Sequence, residues 1–203
     1  MKNTYKIADN ETVMKSCKKM CEKYHDVLEE LADDDTYHES VIEKSACFTG
    51  HREMQESEKA FSERLYALLE RLVTEKQITD YYAGGAVGFD TIAAKCVLRL
   101  REKYPQVKLH LVLPCSNEEQ TRHWTADQKY EFRLILSHSD SVEYTAQHQF
   151  RGCMGVRNAR LVEHATEYCI CYHDPTRKSG TSQTIGFAEK KGLNIINLFK
   201  EGE

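Results

Sequence analysis

Three turns rich in glycine and hydroxyl side chains carry the residues best suited to chemistry. The first is Thr49-Gly50-His51-Arg52 and the second is Gly84-Gly85-Ala86-Val87-Gly88-Phe89-Asp90. The third is Ser179-Gly180-Thr181-Ser182-Gln183-Thr184, which opens a helical pattern. Glycine lets a ligand approach the backbone closely and permits positive φ. A helix that starts near Thr181 presents free N–H groups and partial positive charge to an anion. Each turn alone reads as a tight connection. Three of them following strands at one sheet edge read as a phosphate cradle.

Other polar residues fall at the same edge. Cys115 and Ser116 follow an apolar run, and Arg122, His123 and Trp124 come soon after, in a segment long enough to fold over the site. Met154-Gly155-Val156-Arg157-Asn158 opens another helix. Arg157 suits a bidentate phosphate contact, with Asn158 beside it. Asp90 either accepts from a ribose hydroxyl or favours a helix N-terminus. Trp124 either stacks on a base or packs in the interior. Cys115 has no His or acid partner by spacing, so it is expected to touch the ligand rather than attack it. The expected contacts are thus Thr49 to Arg52, then Gly84, Gly85, Gly88 and Asp90, then Cys115, Arg157 and Asn158, and finally Gly180, Thr181 and Ser182.

The elements that position these residues alternate regularly from residue 44. Apolar runs at 45–49, 80–83, 108–113, 141–144, 168–172 and 194–198 predict strands. Helical periodicity predicts helices over 56–75, 88–102, 126–137, 155–165 and 181–191. Phe61, Leu65, Leu68 and Leu72 mark the inward face of the first, and Ile92, Cys96 and Leu100 that of the second. Alternating strands and helices with buried-looking strands predict an α/β fold, a Rossmann-like three-layer domain with a mostly parallel sheet. In such sheets ligands bind outside the carboxyl ends of the strands, where the three turns fall.

A different pattern precedes this body. Met14, Cys17, Cys21, Tyr24, Leu28 and Leu31 step by three and four, the stripe of an amphipathic helix over 10–32. The helix is expected to stop in Ala32-Asp33-Asp34-Asp35. The organisation expected is an acidic helical extension over 1–43 and the Rossmann-like domain over 44–203. Cys17, Cys21 and His25 have the spacing to share an ion, but both cysteines lie on the apolar stripe and structural zinc takes four ligands. No metal is expected. The stripe is expected to pack on the body or on a second copy of the chain.

Composition narrows the function. The 203 residues are 40% hydrophobic and 30% charged, with 3 Pro and 10 Gly, which is a globular composition. No apolar run approaches the length of a bilayer span, and residues 1–10 lack the apolar core of a signal peptide, so a cytoplasmic protein without a membrane partner is expected. Eight cysteines without a CxxC pair are expected to be reduced and mostly buried. The net charge of -4 is uneven. Residues 1–43 hold 6 Lys/Arg against 11 Asp/Glu, and residues 44–203 hold 22 against 21. A body this close to neutral is not a broad nucleic-acid surface, so DNA is not the expected partner.

Four motifs now stand in order: Cys47-Phe48-Thr49-Gly50-His51-Arg52, then 84–90, then Cys153-Met154-Gly155-Val156-Arg157-Asn158, then Ser179-Gly180-Thr181. Together they resemble the SLOG superfamily, and within it the YpsA-like branch, over about residues 44–198. The resemblance implies a Rossmann-like fold and a nucleotide or nucleotide-derived ligand. The superfamily includes the LOG-type cytokinin-activating phosphoribohydrolases and the DprA single-strand DNA-binding proteins, and the YpsA-like branch has been associated with cell division and stress. Residues 1–43 lie outside the resemblance.

Two departures bear on activity. LOG enzymes carry a glutamate three positions after the Gly-Thr pair, where this chain has Thr184. Hydrolysis of an N-glycosidic bond needs a group that stabilises or attacks an oxocarbenium-like centre, a task a carboxylate performs and a threonine does not. The Arg-Lys pair of LOG enzymes is Arg157-Asn158 here, which looks like the pair of DprA proteins. The favoured reading is a nucleotide-ligand-binding, sensor-type protein. The alternatives are an enzyme that processes a nucleotide or nucleotide sugar, and a DprA-like single-strand DNA or protein-binding module. The ligand itself is not legible.

The apolar stripe of the extension generates a first prediction. Each large side chain in it gains about 1.5–3 kcal/mol on full burial. Deleting residues 1–40 is therefore expected to change the oligomeric mass by light scattering or to lower the melting temperature by calorimetry.

Overall fold

The computed structural model of the chain describes residues 43–177 and 179–200. The helix expected over 10–32, its stripe, and the Cys17, Cys21 and His25 group lie outside the described residues. Among the described residues six strands and six helices follow one another. They are β1 (Lys44–Gly50), α1 (Glu58–Lys76), β2 (Ile78–Ala83), α2 (Phe89–Lys103), β3 (Lys108–Leu113) and α3 (Asn117–Gln120), then α4 (Ala126–His138), β4 (Ser141–Tyr144), α5 (Cys153–His164), β5 (Tyr168–Tyr172), α6 (Gly180–Lys191) and β6 (Asn194–Asn197). The strands form one sheet in the order β4-β3-β2-β1-β5-β6, and all five pairings are parallel. The fold is the three-layer, Rossmann-like α/β architecture that the alternation predicts, with a wholly parallel sheet.

Side-chain alternation divides the apolar residues between two cores. Ala46, Phe48, Leu109, Leu111, Leu113, Ile170 and Tyr172 pack with residues of α1, α2 and α4. Cys47, Val112 and Cys169 point the other way and pack with Leu161 and Val162 of α5 and Ala188 of α6. Element ends have local causes. Ser57 caps α1 by accepting from Ala60 N at 3.3 Å. Thr125 and Gln128 form a reciprocal capping box at α4. The buried stripe of α1 runs through Phe61, Leu65, Leu69, Leu72 and Val73, so Leu69 takes the inward place expected of Leu68, which is half-buried. The four-residue α3 is too short to leave a periodic signal.

The six described cysteines are free and buried. Burial pushes the Cys96 thiol up to about 11 and the Cys171 thiol up to about 12, so both stay protonated. Among the described residues no helix is long and apolar enough to cross a membrane.

The chain builds β1 to β4 outward in one direction, then returns to place β5 on the other side of β1. Strand order reverses between β1 and β5, and this switch point leaves a crevice at their carboxyl ends. Directly beneath it lies an aromatic cluster. Phe89 meets Phe48 at 6.1 Å and Phe61 at 5.8 Å, both edge-on, and stacks with Tyr172 at 6.4 Å. Phe61 meets Tyr172 edge-on at 5.3 Å. Truncating a fully buried phenylalanine in such a cluster costs about 3–5 kcal/mol. Phe89→Ala is expected to lose that much by urea denaturation, a larger loss than Tyr130→Ala, whose ring is exposed.

Candidate functional site

β1 runs into the first turn at Gly50, and the turn is pinned on both sides. His51 N donates to Tyr172 O of β5, and Phe89 N at the start of α2 donates to His51 O, each at 3.2 Å. Two glycines permit this. A Cβ on Gly50 would sit 2.4 Å from the Phe89 ring, and one on Gly88 (φ +84°) would sit 2.2 Å from the Arg52 carbonyl oxygen. These glycines therefore serve the approach of one backbone to another.

The result is a cleft of about 380 Å³ at the switch point. Its walls are Thr49 to Arg52, Ala86 and Asp90, then Met154, Arg157 and Asn158 of α5, and Ser179 to Thr181 at the start of α6. Arg157 forms its base, with only 8% of the residue exposed. Its guanidinium lies on the backbone of Gly84, where a Cβ would fall 1.2 Å from Nη1. Arg157 Nη1 stands 3.4 Å from Asp90 Oδ2, which also accepts from Ala86 N at 3.4 Å. Both contacts are long. Burial raises the Asp90 carboxyl above its ordinary value, and the nearby Arg157 only partly offsets this. Arg157 Nε is buried and has no hydrogen-bond partner. A buried cationic donor left unmatched is costly. Beside it, Asn158 Nδ2 donates to Gly180 O at 3.4 Å.

His51 is buried in the wall, and its Nε2 accepts from Asp174 N at 2.9 Å. That bond puts the proton of the neutral ring on Nδ1. Burial, then the charge of Arg177 and the proximity of His173, lower the His51 pKa from its ordinary value. Asp174 caps the following turn by accepting from Thr176 N at 2.9 Å and Thr176 Oγ1 at 2.6 Å. His173 Nε2 lies 2.9 Å from Ser182 Oγ, which donates to Arg177 O and accepts from Ser179 N. This histidine-braced loop shapes the entrance to α6. Sequence reasoning missed His173, Asp174, Thr176 and Arg177, although the Asp174-Pro175-Thr176 turn chemistry was there to see.

The expected contacts divide. Thr49, Gly50, His51, Arg52, Asp90, Arg157, Asn158, Gly180 and Thr181 line one cleft. Gly84 lies beneath Arg157. Gly85 (φ +62°) faces Leu113 and Phe132, away from the cleft, and its carbonyl accepts from Gln120 Nε2 at 2.8 Å. Gly88 backs onto Arg52, Ser182 is engaged in the loop network, and Cys115 is fully buried. None of these four is part of the lining. Trp124 is half-buried and packs edge-on against Phe132 at 5.5 Å. Thr184 is fully buried, and its hydroxyl donates to Gly180 O at 2.9 Å inside α6.

The model of the YpsA family, described as the YspA SLOG family, matches residues 47–196. The chain belongs to this family. It is 30% identical over 143 residues to YoqJ, an uncharacterized SPbeta prophage-derived protein of Bacillus subtilis, covering 64% of this chain and 81% of that one. It is 24% identical over 143 residues to a UPF0398 protein of Halalkalibacterium halodurans, covering 70% of this chain and 71% of that one. Its fold is similar to that of DNA processing protein A from Helicobacter pylori, with a TM-score of 0.55 at 17% identity. That match covers 78% of this chain and 66% of the other, just under two thirds of its length. The Helicobacter protein binds single-stranded DNA.

The depressed His51 pKa has a sign. The unfolded chain takes up this proton at a higher pH than the folded one, so the His51 contribution is complete above about pH 6.5 and declines as pH falls through that value. Urea midpoints measured from pH 7.5 to pH 5 are expected to fall for the wild type. In His51→Gln this fall is expected to be smaller.

Proposed function

We propose that the cleft binds a nucleotide or nucleotide-derived ligand through its phosphate, as a sensor-type protein. The observation that carries this reading is Arg157, nine-tenths buried at the base of the cleft with Nε unpartnered, facing a pocket that the start of α6 also lines. A phosphate there would take charge-assisted hydrogen bonds from the guanidinium and from the free N–H groups of α6. The position of the cleft at the switch point supports the same class of ligand. Binding is favoured over hydrolysis because the α6 position that carries the glutamate of LOG enzymes is Thr184, enclosed in the helix. A nucleotide ligand suits a cytoplasmic protein, and a sensor suits the stress or cell-division association of the YpsA-like branch.

Single-stranded DNA is the second reading. It is favoured by the fold shared with the Helicobacter protein and by the Arg157-Asn158 pair. Against it stands the near balance of charge over 44–203, since nucleic-acid affinity at physiological salt needs several phosphate contacts.

A panel of ADP-ribose, NAD, AMP and cyclic nucleotides tests the proposal by thermal shift. A ligand at a hundredfold excess over its Kd stabilises the folded state by about 2.7 kcal/mol, which is several degrees for a domain of this size. At least one member is expected to produce such a shift. Arg157→Ala is expected to weaken it, and Gly84→Ala to weaken it too by displacing the guanidinium. AMP is expected to bind without release of adenine, and single-stranded oligonucleotides to bind more weakly than micromolar at physiological salt. Adenine release at enzymatic rates would make the protein a hydrolase. Submicromolar oligonucleotide binding with a steep salt slope would establish the DNA reading.

A further inference from the structure

Toward the amino-terminal ends of β2, β3 and β4, on the sheet face that also carries α5, lies a row of polar side chains that the cleft does not use. Ser141 Oγ is 2.7 Å from His110 Nδ1, and His110 Nε2 is 2.8 Å from Asp80 Oδ1. The three residues come from adjacent strands, with His110 in register with Ser141 and Asp80 in register with Lys108. Asp80 also accepts from Thr79 Oγ1 at 2.7 Å, and Lys108 Nζ stands 3.8 Å from Oδ1. Burial pushes the Asp80 carboxyl up, but the bonds from His110 and Thr79 and the charge of Lys108 bring it below its ordinary value. An ionised carboxylate only accepts, so it takes the Nε2 proton and leaves Nδ1 to accept from the serine hydroxyl. Tyr82 stacks on the imidazole at 4.6 Å and 22° and holds the ring plane. Exposure rises along the row, from 2% at Asp80 through 13% for the His110 side chain to an open Ser141. Among the described residues β4 is the edge strand of the sheet, with no further strand beyond the serine.

We propose that Ser141 is a nucleophile, activated by His110 and supported by Asp80 as a positioning residue, that accepts acyl groups from small carboxylic esters. The acid–imidazole–hydroxyl order is that of hydrolytic triads, here with the two ring nitrogens exchanged in role. Ser141 Oγ attacks the ester carbonyl carbon, and its proton passes to His110 Nδ1. The bond to the alcohol oxygen breaks, and the departing alcohol takes that proton. Water then attacks the acyl-serine carbonyl with His110 as base, which releases the carboxylic acid and restores the hydroxyl. The burial gradient suits this use, because the acid is shielded where it orients the ring and the hydroxyl is open where an ester arrives. This inference is independent of the nucleotide reading.

The test uses the full chain with a fluorophosphonate probe and with p-nitrophenyl acetate. Intact-mass and peptide analysis is expected to find one phosphonyl adduct, on the peptide holding Ser141, and the ester is expected to give a burst of p-nitrophenol of one equivalent. Ser141→Ala is expected to abolish both. His110→Ala is expected to lose labelling and to regain it when imidazole is added, which a merely structural histidine would not show. Asp80→Asn is expected to lower the acylation rate at least tenfold with little change in the half-saturating ester concentration. Labelling confined to other residues, no labelling at all, or equal labelling of Ser141→Ala overturns the proposal.

Discussion

The turn after β1 and the first residues of α2 are held in direct backbone contact. Phe89 N donates to His51 O, and Gly88 lies where any Cβ would meet the Arg52 carbonyl oxygen. Everything at the carboxyl edge depends on that approach. It brings Asp90 within reach of Arg157 and sets His51 against the loop that leads to α6. It also seats Phe89 on the aromatic cluster, which lies under the cleft.

The cleft itself is not optimised for stability. A buried guanidinium with an unmatched Nε and a carboxylate at 3.4 Å is a poorly satisfied pair. Burying charge with imperfect partners is expensive, and such arrangements persist where function needs them. Hydrogen-bonded side chains around it offset some of the cost. Asp174 closes its own turn, and Ser182 links His173 to the backbone of Arg177 and Ser179.

Family membership establishes the fold and leaves function to the site. This chain has an arginine at the base of the cleft and a threonine hydroxyl sealed inside α6. The amino-terminal half of the same sheet carries a separate row of acid, imidazole and hydroxyl groups. The two ends of the strands thus carry different side chains, a buried arginine beside a helix start at one and a row of acid, imidazole and hydroxyl groups at the other.

By itself the sequence determined the alternation of strands and helices, the parallel sheet and the turns that line the crevice, because each rests on local periodicity and on glycine chemistry within a few residues. It also placed Arg157, Asn158, Gly180 and Thr181 at one edge, since strand ends in a parallel sheet share a side. Only the tertiary structure decided which way each residue faces. Gly85 and Gly88 are adjacent to the cleft in sequence, yet one faces Leu113 and the other backs onto Arg52. Cys115 stands two residues past a strand end as Arg52 does, yet it is enclosed while Arg52 is exposed. The row of Asp80, His110 and Ser141 spans 61 positions and left no trace in spacing, because residues on neighbouring parallel strands are brought together by crossovers and register alone. Facing and register are set by long-range packing, and no window of the chain contains them.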